Sequence, residues 1–192
     1  GASFERSYES ILDRLTPNAI PVVIPIGSEA DFQGLIDLIR MKKVVFEGDK
    51  GERMVWSEIP EEDHSRAEEW RAKLIEKIAE ADDTLTEKYL EGGHFSETEI
   101  RKSLRKSTLS YKLVPVYTGS SLKNKGGQLF LDGVIDFLPS PVDLKFVLGT
   151  NPKNDAEEVR NLTDEEPFTA LAFKLQSDPF VGQLTYFRVY SG

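Results

Sequence analysis

The chain has 192 residues, 39% hydrophobic and 30% charged, enough for one well-packed core and part of a second. Its formal net charge of -9 argues against a broad nucleic-acid footprint, which needs a basic face. It has no cysteine, so disulfides and thiolate metal sites are excluded, and it carries neither an apolar run of membrane-spanning length nor a signal-peptide pattern at its amino end.

Phe4, Tyr8, Ile11, Leu12 and Leu15 recur at helical spacing, which predicts a helix over 4–15 with Ser3 as N-cap and Pro17-Asn18 as its stop. Ile20-Pro-Val-Val-Ile-Pro-Ile26 reads as one apolar strand covered on both faces, with its two prolines near the ends or at an edge. Gly27-Ser28 turns the chain, and Phe32, Leu35, Ile36 and Ile39 predict a second helix capped by Ser28. Lys42–Phe46 and Arg53–Ser57 predict two short strands, joined through the turn residues Gly48-Asp-Lys-Gly51.

Pro60 opens the next element, a charged helical stretch from about 62 to 90. Its stripe is Ala67, Trp70, Leu74, Ile78, Ala81 and Leu85, and it reads as one long helix or as two divided at Ala81-Asp-Asp83. The charged faces read as solvated surface supported by i,i+4 pairs, or as a surface that docks a partner. After Gly92-Gly93, Ser96 and Glu99 form a capping box for a helix running to about Thr108.

The rest of the chain is organised around residues 112–128. Leu113-Val-Pro-Val-Tyr117 is a short apolar run, predicted as a covered strand. Gly119, Ser120 and Ser121 follow, and Gly126-Gly127 leads into a helix over Gln128–Leu138 that Pro139-Ser-Pro141 stops. By spacing alone this is an ordinary strand-to-helix connection. By position it is also where open α/β sheets bind ligands, and small residues there bring backbone N–H groups close to one. Residues 149–166 are polar and aperiodic and read as a linker or surface loop. Phe168–Leu175 and Gln183–Tyr190 then predict an antiparallel hairpin joined by Ser177–Gly182. Both of its strands are apolar on both faces, so the hairpin expects completion by further chain or by a second copy.

The chemical inventory is narrow. There is no G-x-x-x-x-G-K-[ST] phosphate loop and no dinucleotide fingerprint. His64 and His94 lack partners at ligand spacing, so no metal site is expected. A hydrolase built on Ser120 and one of these histidines is one reading, and it rests on geometry that sequence does not supply. Asn124-Lys-Gly-Gly127 begins like an Asn-Lys-x-Asp guanine-recognition motif but lacks the aspartate.

Taken together, several segments resemble the translation elongation factor G family. They are Gly119-Ser-Ser-Leu-Lys-Asn-Lys-Gly126, Ile135-Asp-Phe-Leu-Pro-Ser-Pro-Val-Asp143, and the stretch Ser177–Gly192. Pro25-Ile-Gly27, Asp31–Leu38 and Glu87–Glu91 also match, so the likeness covers nearly the whole chain. It implies an α/β fold: the C-terminal part of a P-loop GTPase-type domain with an inserted helix-rich α+β subdomain, then a partial β-barrel hairpin. Residues 1–26 and 112–138 would belong to the GTPase domain and 27–111 to the insert. Residues 139–166 would be a linker and 167–192 the first hairpin of a second domain.

The resemblance also implies function. Gly119, Ser120, Ser121 and Leu122 would contact guanine, with Ser121 standing where the family usually has alanine. The ligand would be GTP or GDP with magnesium, the partners the ribosome and its stalk protein, and the location the cytoplasm. The longer protein would drive ribosomal translocation of tRNA and mRNA. Gly1-Ala-Ser-Phe4 resembles the segment that follows the family's Asn-Lys-x-Asp motif. The phosphate loop, switch segments and that motif are not in this sequence, so these 192 residues alone are expected not to hydrolyse GTP. The alternative is an interaction module in which the insert docks the stalk protein without chemistry. Neither autonomous nucleic-acid binding nor a membrane partner is expected, and the hairpin offers a route to self-association.

Overall fold

The computed structural model of the chain describes residues 2–140 and 143–192. They form two compact units, Gly1–Leu138 and Pro139–Gly192. Their architecture is α+β: helices packed on small sheets in the first unit, and hairpins in the second.

Helix α1 (Phe4–Arg14) starts as its sequence predicts, with Ser3 Oγ accepting from the Arg6 N–H at 3.3 Å. The expected single strand over 20–26 is instead two, β1 (Ala19–Pro21) and β2 (Val23–Ile26), which belong to different sheets. The changeover is at Val22. Its N–H donates to the Val116 carbonyl at 3.0 Å, and its own carbonyl accepts from the Leu38 N–H at 3.0 Å. β1 pairs in parallel with β6 (Val114–Val116), whereas β2 pairs antiparallel with β3 (Gly34–Asp37).

β3 replaces the helix expected from Phe32, Leu35, Ile36 and Ile39. Leu35 and Ile36 are both fully buried because they point to opposite faces of a sheet covered on both sides, which helical spacing cannot distinguish. Asp37 then sharpens the reversal. Its Oδ1 accepts from the N–H groups of Ile39 and Arg40 at 2.8 and 2.9 Å, an aspartate turn that sends the chain back. β4 (Lys42–Glu47) and β5 (Arg53–Ser57) complete a sheet of order β2-β3-β4-β5, and their hairpin turns at 48–51 as expected.

The charged stretch forms α2 (Glu61–Ala81) and α3 (Asp83–Leu90), divided at Asp82. α4 (Glu97–Leu109) carries the Ser96–Glu99 capping box in full. Ile24 and Ile36 of the sheet, with Leu38 just past β3, pack with Leu74 and Ile78 of α2 and Ile100 and Leu104 of α4. On the opposite face Val23, Leu35, Val44 and Phe46 pack with Leu129 of α5 (Gly127–Phe137). Tyr8 ties α1 to β1 by donating to the Ala19 carbonyl at 2.9 Å, and its ring meets Trp70 of α2 edge-on at 5.4 Å.

β6 is half-covered rather than buried, with Val114 exposed at a strand that pairs only with β1 among the described residues. α5 ends at Phe137, before Pro139; Pro141, also expected to stop it, lies outside the described residues.

In the second unit the expected loop over 149–166 is largely a hairpin, β7 (Phe146–Thr150) with β8 (Glu157–Asn161). Its turn is built by Asn151, whose carbonyl accepts from Asp155 N–H and whose N–H donates to the Ala156 carbonyl, both at 2.9 Å. The charged run Glu-Glu-Val-Arg-Asn carries no apolar alternation, because both of its faces meet water over most of their length. β9 (Thr169–Asp178) and β10 (Gly182–Ser191) pair antiparallel as predicted, with register irregularities at Tyr186/Phe187 and Val189/Ser191. Leu171, Phe173, Leu175 and Phe187 are exposed on them, and the described residues form no closed barrel.

Asp82 fastens the helical layer. It is buried, and it accepts from Ser103 Oγ at 2.7 Å, Lys106 Nζ at 2.6 Å and Thr84 Oγ1 at 2.9 Å. Burial alone would raise its carboxyl, but the bonds from Lys106, Ser103 and Thr84 outweigh it and lower the value from 3.8 to about 2. A depressed carboxylate contributes fully above its unfolded value, and the contribution is lost as pH falls from about 4 through about 2. Asp82→Asn should lower unfolding free energy at neutral pH by about 2 kcal/mol and flatten the stability profile over that acid window. Urea unfolding across pH measures both, and an unchanged profile contradicts the assignment.

Candidate functional site

The turn after β6 is a compact loop with its own pairing. Ser120 N–H donates to the Lys125 carbonyl at 2.8 Å, and Lys125 N–H returns to the Ser120 carbonyl at 2.9 Å. Within the loop, Asn124 N–H donates to the Ser121 carbonyl at 3.1 Å and Lys123 N–H to Ser120 Oγ at 3.3 Å. Asn124 and Gly126 leave it with positive φ, 48° and 95°. The N–H groups of Ser121 and Leu122 donate to no group among the described residues, and both residues are exposed, Leu122 at 94%. The loop therefore holds its shape while leaving two backbone donors unused.

A cavity of about 300 Å³ adjoins this loop. Thr118, Gly119 and Ser120 form one wall; Pro25, Gly27, Ser28, Glu29 and Phe32, at the end of β2 and beyond it, form another. The third is the start of α1, with Ala2, Ser3, Phe4 and Ser7. The arrangement follows from the Val22 changeover, which lays the carboxyl ends of β2 and β6 side by side. Glu29 braces the α1 side by accepting from the Ala2 N–H at 3.1 Å.

Of the four sequence-predicted site residues, Gly119 and Ser120 line the cavity. Ser121 and Leu122 stand on the exposed loop beside them. The residues that sequence reasoning missed are Thr118, Ser28, Phe32 and the first turn of α1. Apart from Thr118, they lie far from the loop in the chain, and no local pattern links them to it.

Ser120 is not paired with a base. His64 Nδ1 lies 3.4 Å from Glu68 on α2, and His94 borders a separate groove with Met41, Tyr89 and Phe95. The hydrolase reading of Ser120 therefore has no histidine geometry to rest on. No cluster of three or more histidine or acidic side chains able to hold a metal occurs among the described residues, nor is any helix of theirs long and apolar enough to cross a membrane.

A second polar group gathers around Tyr117, the residue after β6. Asp37 pairs with Arg40 at 3.1 Å and Arg101 with Asp136 at 2.5 Å, around the phenol of Tyr117. Burial, reinforced by Asp37, pushes that phenol well above the ordinary tyrosine range. Tyr117 therefore stays neutral at every physiological pH and serves the packing of β6 against α5.

No family model matches the chain. Its structure is similar to the crystal structure of a protein from Thermus thermophilus, at 28% identity and a TM-score of 0.74 over 100% of this chain. The chain spans 26% of that protein's length.

Gly126 closes the loop at a point with no room for a side chain. A Cβ there would sit 3.0 Å from the Thr118 carbonyl and 3.1 Å from Leu35 Cδ1, at a φ that L-residues rarely adopt. Gly126→Ala should cost roughly 1–2 kcal/mol of stability, read as a lower urea midpoint with unchanged slope. A midpoint equal to wild type would show that the loop tolerates another path.

Proposed function

We propose that these residues are part of a translational GTPase of the elongation factor G type, in which the loop after β6 forms one side of the guanine pocket. The observation that carries this reading is the pair of unused N–H donors at Ser121 and Leu122, on a self-paired loop at the carboxyl end of a parallel strand. Such donors match the O6 acceptor of guanine. Adenine presents an amino group at that position, a donor facing donors, and is rejected by the same geometry. The motif resemblance at 119–126 and 135–143, and the structural likeness to a longer bacterial protein, support the reading.

In this account residues 27–111 are the family's insert, 139–192 open the second domain, and the longer protein acts on the ribosome in the cytoplasm. The chain's own part in the reaction is to seat and select the base. Ser121 adds only a hydroxyl where alanine is usual, and backbone recognition survives it. Magnesium and the γ-phosphate would be held by a phosphate loop and switch segments, which these 192 residues do not contain. A second reading, docking of the acidic stalk protein without chemistry, draws on the groove bounded by Met41, Ile75, Tyr89 and Phe95.

The test uses the longer protein. It should bind GDP and not ADP in calorimetry, and Ser121→Pro, which removes one donor, should weaken GDP binding about tenfold. The 192-residue chain alone should hydrolyse no GTP, and micromolar GTP binding by it would contradict the account. A longer protein that binds stalk protein but no guanine nucleotide would favour the second reading.

A further inference from the structure

Four side chains on the return half of the loop and the start of α5 leave it and end on backbone carbonyls 74 to 94 residues earlier in the chain. Lys123 Nζ donates to the Glu29 carbonyl at 3.2 Å, and Lys125 Nζ to the Phe32 carbonyl at 3.5 Å, with its ammonium 5.8 Å from the Phe32 ring centroid. Asn124 Nδ2 donates to the Lys50 carbonyl, and Gln128 Nε2 to the Gly51 carbonyl at 2.9 Å. The two lysines grip the segment after β2. Asn124 and Gln128 grip the tip of the β4–β5 hairpin.

We propose that the tip of the β4–β5 hairpin is a strut that sets the shape of the 120–125 loop, and that Asn124 and Gln128 are positioning residues for whatever the adjoining cavity binds. The loop cannot hold itself by burial. Ser121 to Asn124 are all exposed, and its only internal fastening among the described residues is the Ser120–Lys125 pair with two weaker turn bonds. The sheet that grips it is the opposite case: Leu35, Ile36 and Val44 are fully buried within it. Order therefore passes from sheet to loop. The fit at the tip is close: Gly51 is buried at φ +62°, and a Cβ on it would stand 2.7 Å from the Asn124 carbonyl.

The same bonds assign a role to Asn124-Lys125, which begin like a guanine-recognition motif without completing it. Asn124 Nδ2 and Lys125 Nζ donate to the Lys50 and Phe32 carbonyls, so these side chains hold the loop rather than read a base. A guanine nucleotide as the cavity's occupant rests on the function proposed above; the strut itself does not.

The deciding measurement is amide hydrogen exchange on the 192-residue chain. In the double variant Asn124→Ala, Gln128→Leu, protection of the Ser120 and Lys125 amides should fall about tenfold or more, with Ile36 and Val44 unchanged. Unchanged protection at Ser120 and Lys125 overturns the strut. If Ile36 and Val44 also lose protection, the single variant Asn124→Ala at its exposed position is read in its place, and the same two outcomes decide. In the longer protein, N-methylanthraniloyl-GDP should leave the double variant about tenfold faster, with association and site number little changed. Loss of loop protection in a protein that binds no GDP even as wild type keeps the strut and overturns the guanine reading. Faster exchange with an unaltered GDP off-rate overturns the positioning role.

Discussion

Val22 gives its N–H to Val116 and its carbonyl to Leu38, and most of the first unit depends on that double use. One seven-residue apolar run thereby serves two sheets. Before Val22 the chain lies parallel to β6; after it, antiparallel to β3. Asn18 and Val22 bond β6 from either side of Pro21, so the proline's missing N–H costs that parallel ladder nothing. The consequence is positional. The ends of β2 and β6 emerge together, and the segments that follow them, 27–32 and 118–120, form facing walls of one cavity. Helix α1, held by Tyr8 to Ala19 and by Phe4 and Tyr8 against Trp70, supplies the third wall.

The two polar anchors of the unit work differently. Asp82 is stabilising because three donors surround one buried carboxylate and overcome the burial that opposes its charge. The loop clamp uses neutral and cationic donors on backbone carbonyls at an exposed position, where each bond contributes less. Its effect is to select one loop shape more than to add stability. A loop so placed can be altered through the hairpin tip without touching the core that both share.

Much of the fold was legible where a local rule had one solution. The Ser96–Glu99 box, the 48–51 hairpin turn and the strands at 169–191 each follow from residues adjacent in sequence, while Ala81-Asp-Asp83 left one helix or two open until Asp82 divided them. The failures share a cause. Leu35 and Ile36 are neighbours buried on opposite faces, and their spacing imitates a helix because a doubly covered strand has no alternation to show. The strand at 20–26 looked single because both halves are equally apolar, while the pairing partner that divides them lies far along the chain. β7–β8 looked like a linker because an exposed hairpin needs no apolar pattern. At the site, Gly119–Leu122 was readable from turn chemistry and resemblance. Ser28, Phe32 and the clamp to Lys50 and Gly51 were not, since they depend on contacts 74 or more residues apart.

The central claim is that the loop after β6 presents its free backbone donors to a guanine base. A crystal structure of the longer protein with GDP tests this most directly. The account predicts guanine O6 about 3 Å from the N–H of Ser121 or Leu122, with the 120–125 loop unchanged and still bonded to Lys50 and Gly51. A base seated elsewhere, with those two N–H groups still facing solvent, would contradict it.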